Sequence, residues 1–211
     1  MASSTTYRPT GPAQFAGRWA ASLPAGARVG VDGAVDADTE RYARALADAL
    51  RERARPVLVT AWSAFWRPRS LRFEHGRDDP DAFHDDWLDV AGLHREVLEP
   101  LGEPAGRRWV PSLYDPATDR ASRARREAVP DDAVLVLAGP FLLREDLRRG
   151  LDAVVHLSTS DAAVRRRVPA GDAERVLGAW HRYLAESEPL QRADAVLRCE
   201  DPLHPAELVR G

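Results

Sequence analysis

Apolar residues follow two spacings along this chain. Five short runs are mostly apolar, without the alternation of a half-exposed strand: 28–33 (RVGVDG), 56–62 (PVLVTAW), 133–137 (AVLVL), 151–157 (LDAVVHL) and 193–199 (ADAVLRC). Short runs of this kind predict strands buried on both faces. Between them, apolar residues recur every three or four positions. Phe15, Trp19 and Leu23 predict a short amphipathic helix, and Tyr42, Leu46, Ala49 and Leu50 mark one face of a long helix over 39–53. Stretches 87–98, 161–168 and 173–186 read as further helices, the second of these ended by Pro169. Residues 67–86 are polar and acidic, 102–108 read as a loop, and 108–114 as extended chain. Alternation of strands and helices predicts an α/β fold. The expected form is a three-layer α/β/α sandwich on a mostly parallel sheet of about five strands. Residues 1–11, rich in Ser, Thr, Pro and Gly, are expected to form a flexible tail, and 12–211 a single domain.

Composition narrows the function classes. The chain has 211 residues, 44% hydrophobic and 30% charged, with a net charge of -3. That balance argues against nucleic-acid binding by bulk charge. No run approaches the ~18–20 apolar residues of a membrane span, and the N-terminal residues carry no apolar signal segment. A lone cysteine, Cys199, fits a reducing, cytoplasmic setting and a core thiol. All 30 basic residues are Arg; Lys, Asn and Ile are absent. A GC-rich coding genome explains the bias. Chemically, it removes every Schiff-base, catalytic or phosphate-binding lysine. His75, His84 and His94 match no metal-ligand spacing, so no metal and no cofactor are expected. The expected partner is a small molecule, with neither nucleic acid nor membrane, and self-association is left open.

In a parallel α/β sheet, ligands sit beyond the carboxyl ends of the strands. Several segments near those ends form a consistent series. Val31-Asp-Gly ends the first run and precedes the long helix. Phe65-Trp-Arg-Pro-Arg follows the second. Gly76-Arg-Asp-Asp-Pro-Asp-Ala-Phe, Pro111-Ser-Leu-Tyr-Asp, and Tyr183-Leu-Ala-Glu-Ser-Glu-Pro with Arg192-Ala-Asp come later. In this order and spacing the chain resembles the uridine kinase-like branch of the P-loop kinases, particularly its short bacterial members, over about residues 28–202. The resemblance implies a P-loop kinase-like fold. It also implies an acceptor pocket in which Asp78 stands at the ribose-binding position and Tyr114 beside the base.

The same alignment departs from the family at the phosphoryl-transfer residues. Asp38-Thr39-Glu40 stands where the resemblance implies Gly-Lys-Thr/Ser. Ser63 stands for the catalytic Asp and Ala138 for the acidic residue that supports Mg²⁺. Pro116 and Asp119 replace two base-recognition residues. Phosphoryl transfer depends on positioning and charge neutralisation, so these losses are expected to disable it. Asp36, Asp38 and Glu40 also reverse the charge at the helix start. A phosphate ~5 Å from one such carboxylate meets roughly 3 kcal/mol of repulsion per charge pair at an effective dielectric near 20.

Two sets of candidate residues follow. Asp36, Asp38, His84 and Tyr114 can move protons and are the candidate catalytic groups. Phe65, Trp66, Arg67, Arg69, Asp78, Phe83, Asp115, Asp119 and Arg166 are the candidate substrate-binding residues. Arg166 belongs to the run Arg165–Arg167, which also reads as a solvated helix face. The favoured expectation is a repurposed enzyme doing acid–base chemistry (lyase, cyclase or isomerase type) in the former acceptor pocket without ATP. A non-catalytic pseudokinase scaffold and an active kinase using Arg for Lys are the alternatives.

Overall fold

The computed structural model describes residues 6–102 and 107–209. Seven strands form the main sheet: β1 (Thr6–Pro9), β2 (Arg28–Gly33), β3 (Val57–Ala61), β4 (Val134–Gly139), β5 (Ala153–Ser158), β6 (Ala195–Arg198) and β7 (Ala206–Val209). Their spatial order is β1-β7-β6-β5-β2-β4-β3. Strands β3, β4, β2, β5 and β6 run parallel, and β7 and β1 extend one edge antiparallel. The five parallel strands are the five apolar runs of the sequence.

Alternate residues of β4 show the layering. Val134, Val136 and Ala138 pack on one side with Phe15, Tyr42, Leu46 and Leu50 from helices α1 (Pro12–Ser22) and α2 (Asp36–Arg51). Leu135 and Leu137 pack on the other with Leu93, Val97, Leu177 and Trp180. These come from the helical stretch 90–102 and a long C-terminal helix, Ala173–Ser187. Two shorter helices bear on the site: α3 (Pro80–Asp85) in the acidic stretch and α4 (Asp161–Arg167). The long helix Ala173–Ser187 is α5. The expected three-layer α/β/α sandwich is the architecture found.

Three expectations change. The tail does not extend through residue 11: Thr6–Pro9 is an edge strand paired with Ala206–Val209, reinforced by Arg8 and Arg18 on Glu207. Four residues ending in Pro carry almost no strand signal, and an edge is where a sheet tolerates Pro. Residues 1–5, and 103–106 of the expected loop, lie outside the described residues. The helix expected over 87–98 starts later, because the Asp89 side chain accepts from Gly92 N–H (2.9 Å) and caps it there. Finally, α2 begins at Asp36, three residues before its expected start.

Gly139, ending β4, is required where it stands. A Cβ there would collide with the Trp62 ring that crosses the end of the strand. Trp62 is thereby laid across the carboxyl end of the sheet, in contact with Trp66, Phe83 and Phe141.

Candidate functional site

Only Ala34 and Val35 separate the end of β2 from the first turn of α2. Val35 has no side chain able to cap the helix, and no side chain caps it. Instead the N–H groups of Asp38 and Thr39 both turn back to the Val35 carbonyl (3.0 and 3.1 Å). The Thr39 hydroxyl is spent on the Asp36 carbonyl (2.8 Å).

Two acids of this turn have different surroundings. Trp62 Nε1 donates to Asp36 Oδ1 (2.9 Å), and no salt bridge to Asp36 is formed among the described residues. Burial pushes the Asp36 carboxyl up to about 6; the Trp62 bond opposes the rise and nearby Glu40 adds to it. Asp38 is buried and ion-paired with Arg167. Burial raises its carboxyl, and the Arg167 charge and hydrogen bond oppose that rise. Arg167 also donates to the Cys199 and Glu200 carbonyls (2.8 and 3.1 Å), which ties the end of α4 to the start of α2. This pairing explains the early helix start: Asp38 is held by Arg167 and is not used as a cap.

Asp36 lines a cleft of about 220 Å³ at the carboxyl end of the sheet. Trp66, Phe83 and Trp87 line it too, with Arg167 and Arg175 on the facing segment. Two buried arginines are stacked into the aromatic wall. The Arg72 guanidinium lies 4.6 Å from the Trp66 ring centroid and 4.7 Å from that of Trp87. Arg175 lies 4.6 Å from Trp87 and 5.3 Å from Phe83. Arg72 donates to the Arg67 carbonyl (2.8 Å) and the Tyr114 hydroxyl (3.0 Å). Arg175 donates to the Arg77 carbonyl (2.9 Å) and Asp172 (2.8 Å).

The other candidates scatter. Tyr114 is buried; besides accepting from Arg72, its hydroxyl donates to Asp119. Burial, then Asp119, raises the Tyr114 hydroxyl, and the Tyr114 hydrogen bond lowers Asp119. Asp119 also accepts from the Arg69 N–H (3.2 Å). Asp115 is a turn residue: it accepts from Ala117 N–H and the Thr118 hydroxyl, which lowers its carboxyl. Phe65 is fully buried and belongs to the core, so it is not available to a ligand. Arg67, Arg69, Asp78 and Arg166 are exposed, and none of them lines the cleft.

His84 does not line the cleft of Asp36. Its Nδ1 lies 2.7 Å from Asp85, and it borders a second, ion-paired depression with Arg144, Asp146 and Arg182. Burial works against ionisation of Asp85, but hydrogen bonds from His84 and Arg182 hold its carboxyl low. Of the four candidate catalytic groups, the structure brings only Asp36 into the cleft. Of the candidate substrate residues it brings Trp66 and Phe83.

Sequence reasoning missed Arg72, Arg175 and Trp87 as parts of this wall. It also passed over Asp32, a fully buried carboxylate that joins four elements. His156 Nδ1 lies 2.7 Å from it, the Tyr183 hydroxyl donates to it (2.9 Å), and so does Leu142 N–H (3.0 Å). Asp32 thus pins the segment after β4 to β2, β5 and α5. Its position in Val31-Asp-Gly was the available signal. Among the described residues no three His, Cys, Asp or Glu side chains gather as a metal site, and no helix is long and apolar enough to cross a membrane.

Comparison with solved structures finds the same fold in two kinases. A possible uridine kinase from Bacillus stearothermophilus superposes with a TM-score of 0.71 at 24% identity, covering 88% of this chain and 96% of that one. A candidate fructose transport system kinase from Silicibacter sp. TM1040 gives 0.59 at 20% identity, over 87% and 95% of the two chains. No family model matches the chain, and no curated sequence matches it.

Proposed function

We propose that this chain is an ATP-independent enzyme on a P-loop kinase-like fold, acting on a small molecule by proton transfer through Asp36. The observation that carries this reading is the placement of Asp36 on the wall of a cleft at the carboxyl end of the sheet, with no salt bridge among the described residues and with its carboxyl pushed up to about 6 by burial. A general acid–base group works best with a pKa near the working pH. Asp36 can hold a proton or release it without breaking an ion pair.

The turn where the resemblance would seat the phosphates does not fit a nucleoside triphosphate. A phosphate loop needs several extended residues whose N–H groups surround the anion. Here helix begins at Asp36, the next acid is held by Arg167, and the chain has no lysine. The earlier expectation that the acceptor pocket around Asp78 and Tyr114 holds the ligand is moved to the Asp36 cleft, because the Tyr114 hydroxyl is already engaged by Arg72 and Asp119.

Calorimetric titration with Mg·ATP, with and without uridine, tests the first half of the proposal. No heat is expected; micromolar binding would overturn it. Screening small-molecule substrates against wild type and Asp36→Asn tests the second half. Turnover that survives the substitution would remove Asp36 from the mechanism. The competing reading, a non-catalytic binding protein, is favoured by the scatter of His84 and Tyr114 away from Asp36, and it predicts binding without turnover.

A further inference from the structure

The cleft wall is short of acceptors. Among the described residues, five buried side-chain polar atoms have no hydrogen-bond partner: Trp66 Nε1, Trp87 Nε1, Arg175 Nε, His84 Nε2 and Trp109 Nε1. Three of them belong to residues lining the one cleft, and all three are N–H donors. Buried donors without acceptors are costly and uncommon in native structures. All three are enclosed N–H groups on residues that line this cleft, so an acceptor that reaches behind its surface would satisfy them. Arg175 is the strongest of them, because its Nε carries part of a full positive charge while its other two nitrogens are already bonded.

Charge and shape point the same way. An organic ammonium would need open aromatic faces. Here Arg72 and Arg175 already lie over Trp66, Trp87 and Phe83. Ala34 and Val35, and Asp36 and Ala37 of the first turn of α2, also line the cleft, and this helix start has no side-chain cap. Its partial positive charge favours an anion only with Asp36 protonated, since Asp36 stands in the first turn and Arg167 already answers Asp38. At about 220 Å³ the cleft is smaller than the ~300–1,000 Å³ that takes drug-sized ligands.

We propose that this cleft binds a small organic carboxylate, with its apolar body against the Trp66–Phe83–Trp87 wall and its carboxylate satisfying Arg175 and the indole N–H groups. This rests on the reading that the Asp36 cleft is the working site. The three donors are enclosed, so a ligand that reaches them shifts the wall and changes tryptophan emission. The charged groups around Asp36 are Glu40 on its own helix, the Arg167–Asp38 pair, and Asp172 with Arg175 on the facing segment. A carboxylate arriving there requires Asp36 in its protonated form, so binding takes up a proton.

The test uses the full chain with four probes: benzoate, cyclohexanecarboxylate, benzamide and benzylamine. Affinity is followed by calorimetry and by tryptophan fluorescence. Both carboxylates are expected to bind and change the emission, benzamide to bind more weakly and benzylamine not at all. From pH ~6 to pH ~8 wild-type affinity for benzoate should fall more than about tenfold, while Asp36→Asn keeps its affinity across that range. Arg175→Gln should weaken benzoate about tenfold. Trp66→Phe, a milder change that removes one donor, should weaken it about threefold and guards against misfolding of the first variant. Preference for benzylamine, absence of benzoate binding up to ~10 mM, or benzoate affinity unchanged in both variants would overturn the proposal. Those failures leave the Mg·ATP result untouched, so a wrong ligand class is distinguishable from a wrong view of the turn.

Discussion

Asp36 and Asp119 each sit beside an aromatic donor near the carboxyl end of the same sheet, yet they are driven in opposite directions. Asp36 takes one N–H from Trp62, has Glu40 nearby and no cation of its own, and burial pushes it up to about 6. Asp119 takes the Tyr114 hydroxyl and the Arg69 N–H, lies 3.6 Å from Arg72, and is lowered. Asp38, two residues from Asp36, lies between these cases: burial raises its carboxyl, and Arg167 opposes that rise without cancelling it. A carboxylate held by a guanidinium is a structural anion. One left with a single neutral donor can exchange its proton near neutral pH. The contrast separates a group able to do chemistry from groups that hold the fold, although all three are acids in related positions.

The comparison breaks most sharply at Asp36 itself. Asp36→Asn should cut turnover of any substrate found by screening by about 10²–10⁴-fold, with the fold retained, since amide and carboxylate both accept from Trp62. Steady-state kcat/KM beside a thermal melt checks this. The equivalent change at Asp119 should leave turnover unchanged.

Removing the cation that answers Asp38 should have the next largest effect. Arg167→Ala leaves a buried carboxylate without a partner and should cost about 3–5 kcal/mol in urea unfolding. The double variant with Asp38→Ala should recover much of that loss. If the double variant is no more stable than the single, the pair is not what joins α4 to α2.

A third prediction concerns pH. Asp36 has a folded-state value above its unfolded one, about 6 against 3.8. The folded protein therefore holds a proton that the unfolded chain has lost, and stability falls as pH rises from about 4 to about 6. Above that window the deficit is about 3 kcal/mol. Asp36→Asn should thus stabilise the protein at pH ~8 and have little effect at pH ~4. An equal effect at both pH values would mean that Asp36 is not raised. The smallest effect belongs to Tyr114→Phe, which removes the hydroxyl shared by Arg72 and Asp119. It should cost about 1 kcal/mol by urea unfolding and leave turnover intact.

The five parallel strands and the long helices were legible because buried parallel strands are continuous apolar runs and amphipathic helices repeat every three to four residues. The absence of lysine, and the acids at the start of α2, could be read from the residues alone. Strands β1 and β7 were not legible, because each is four residues long and neither buries a position fully, so no apolar run marks them. The rearranged cleft was not legible either. Arg72 and Arg175 look like two of many surface arginines until folding stacks them on Trp66, Trp87 and Phe83.

Sequence alone therefore determined the layered α/β frame and excluded lysine chemistry, since both follow from residue type and short-range spacing. Tertiary structure decided which of several similar acids is free to titrate. That choice depends on which guanidinium lies within reach, and residues as far apart as Asp38 and Arg167 meet only when the sheet is assembled.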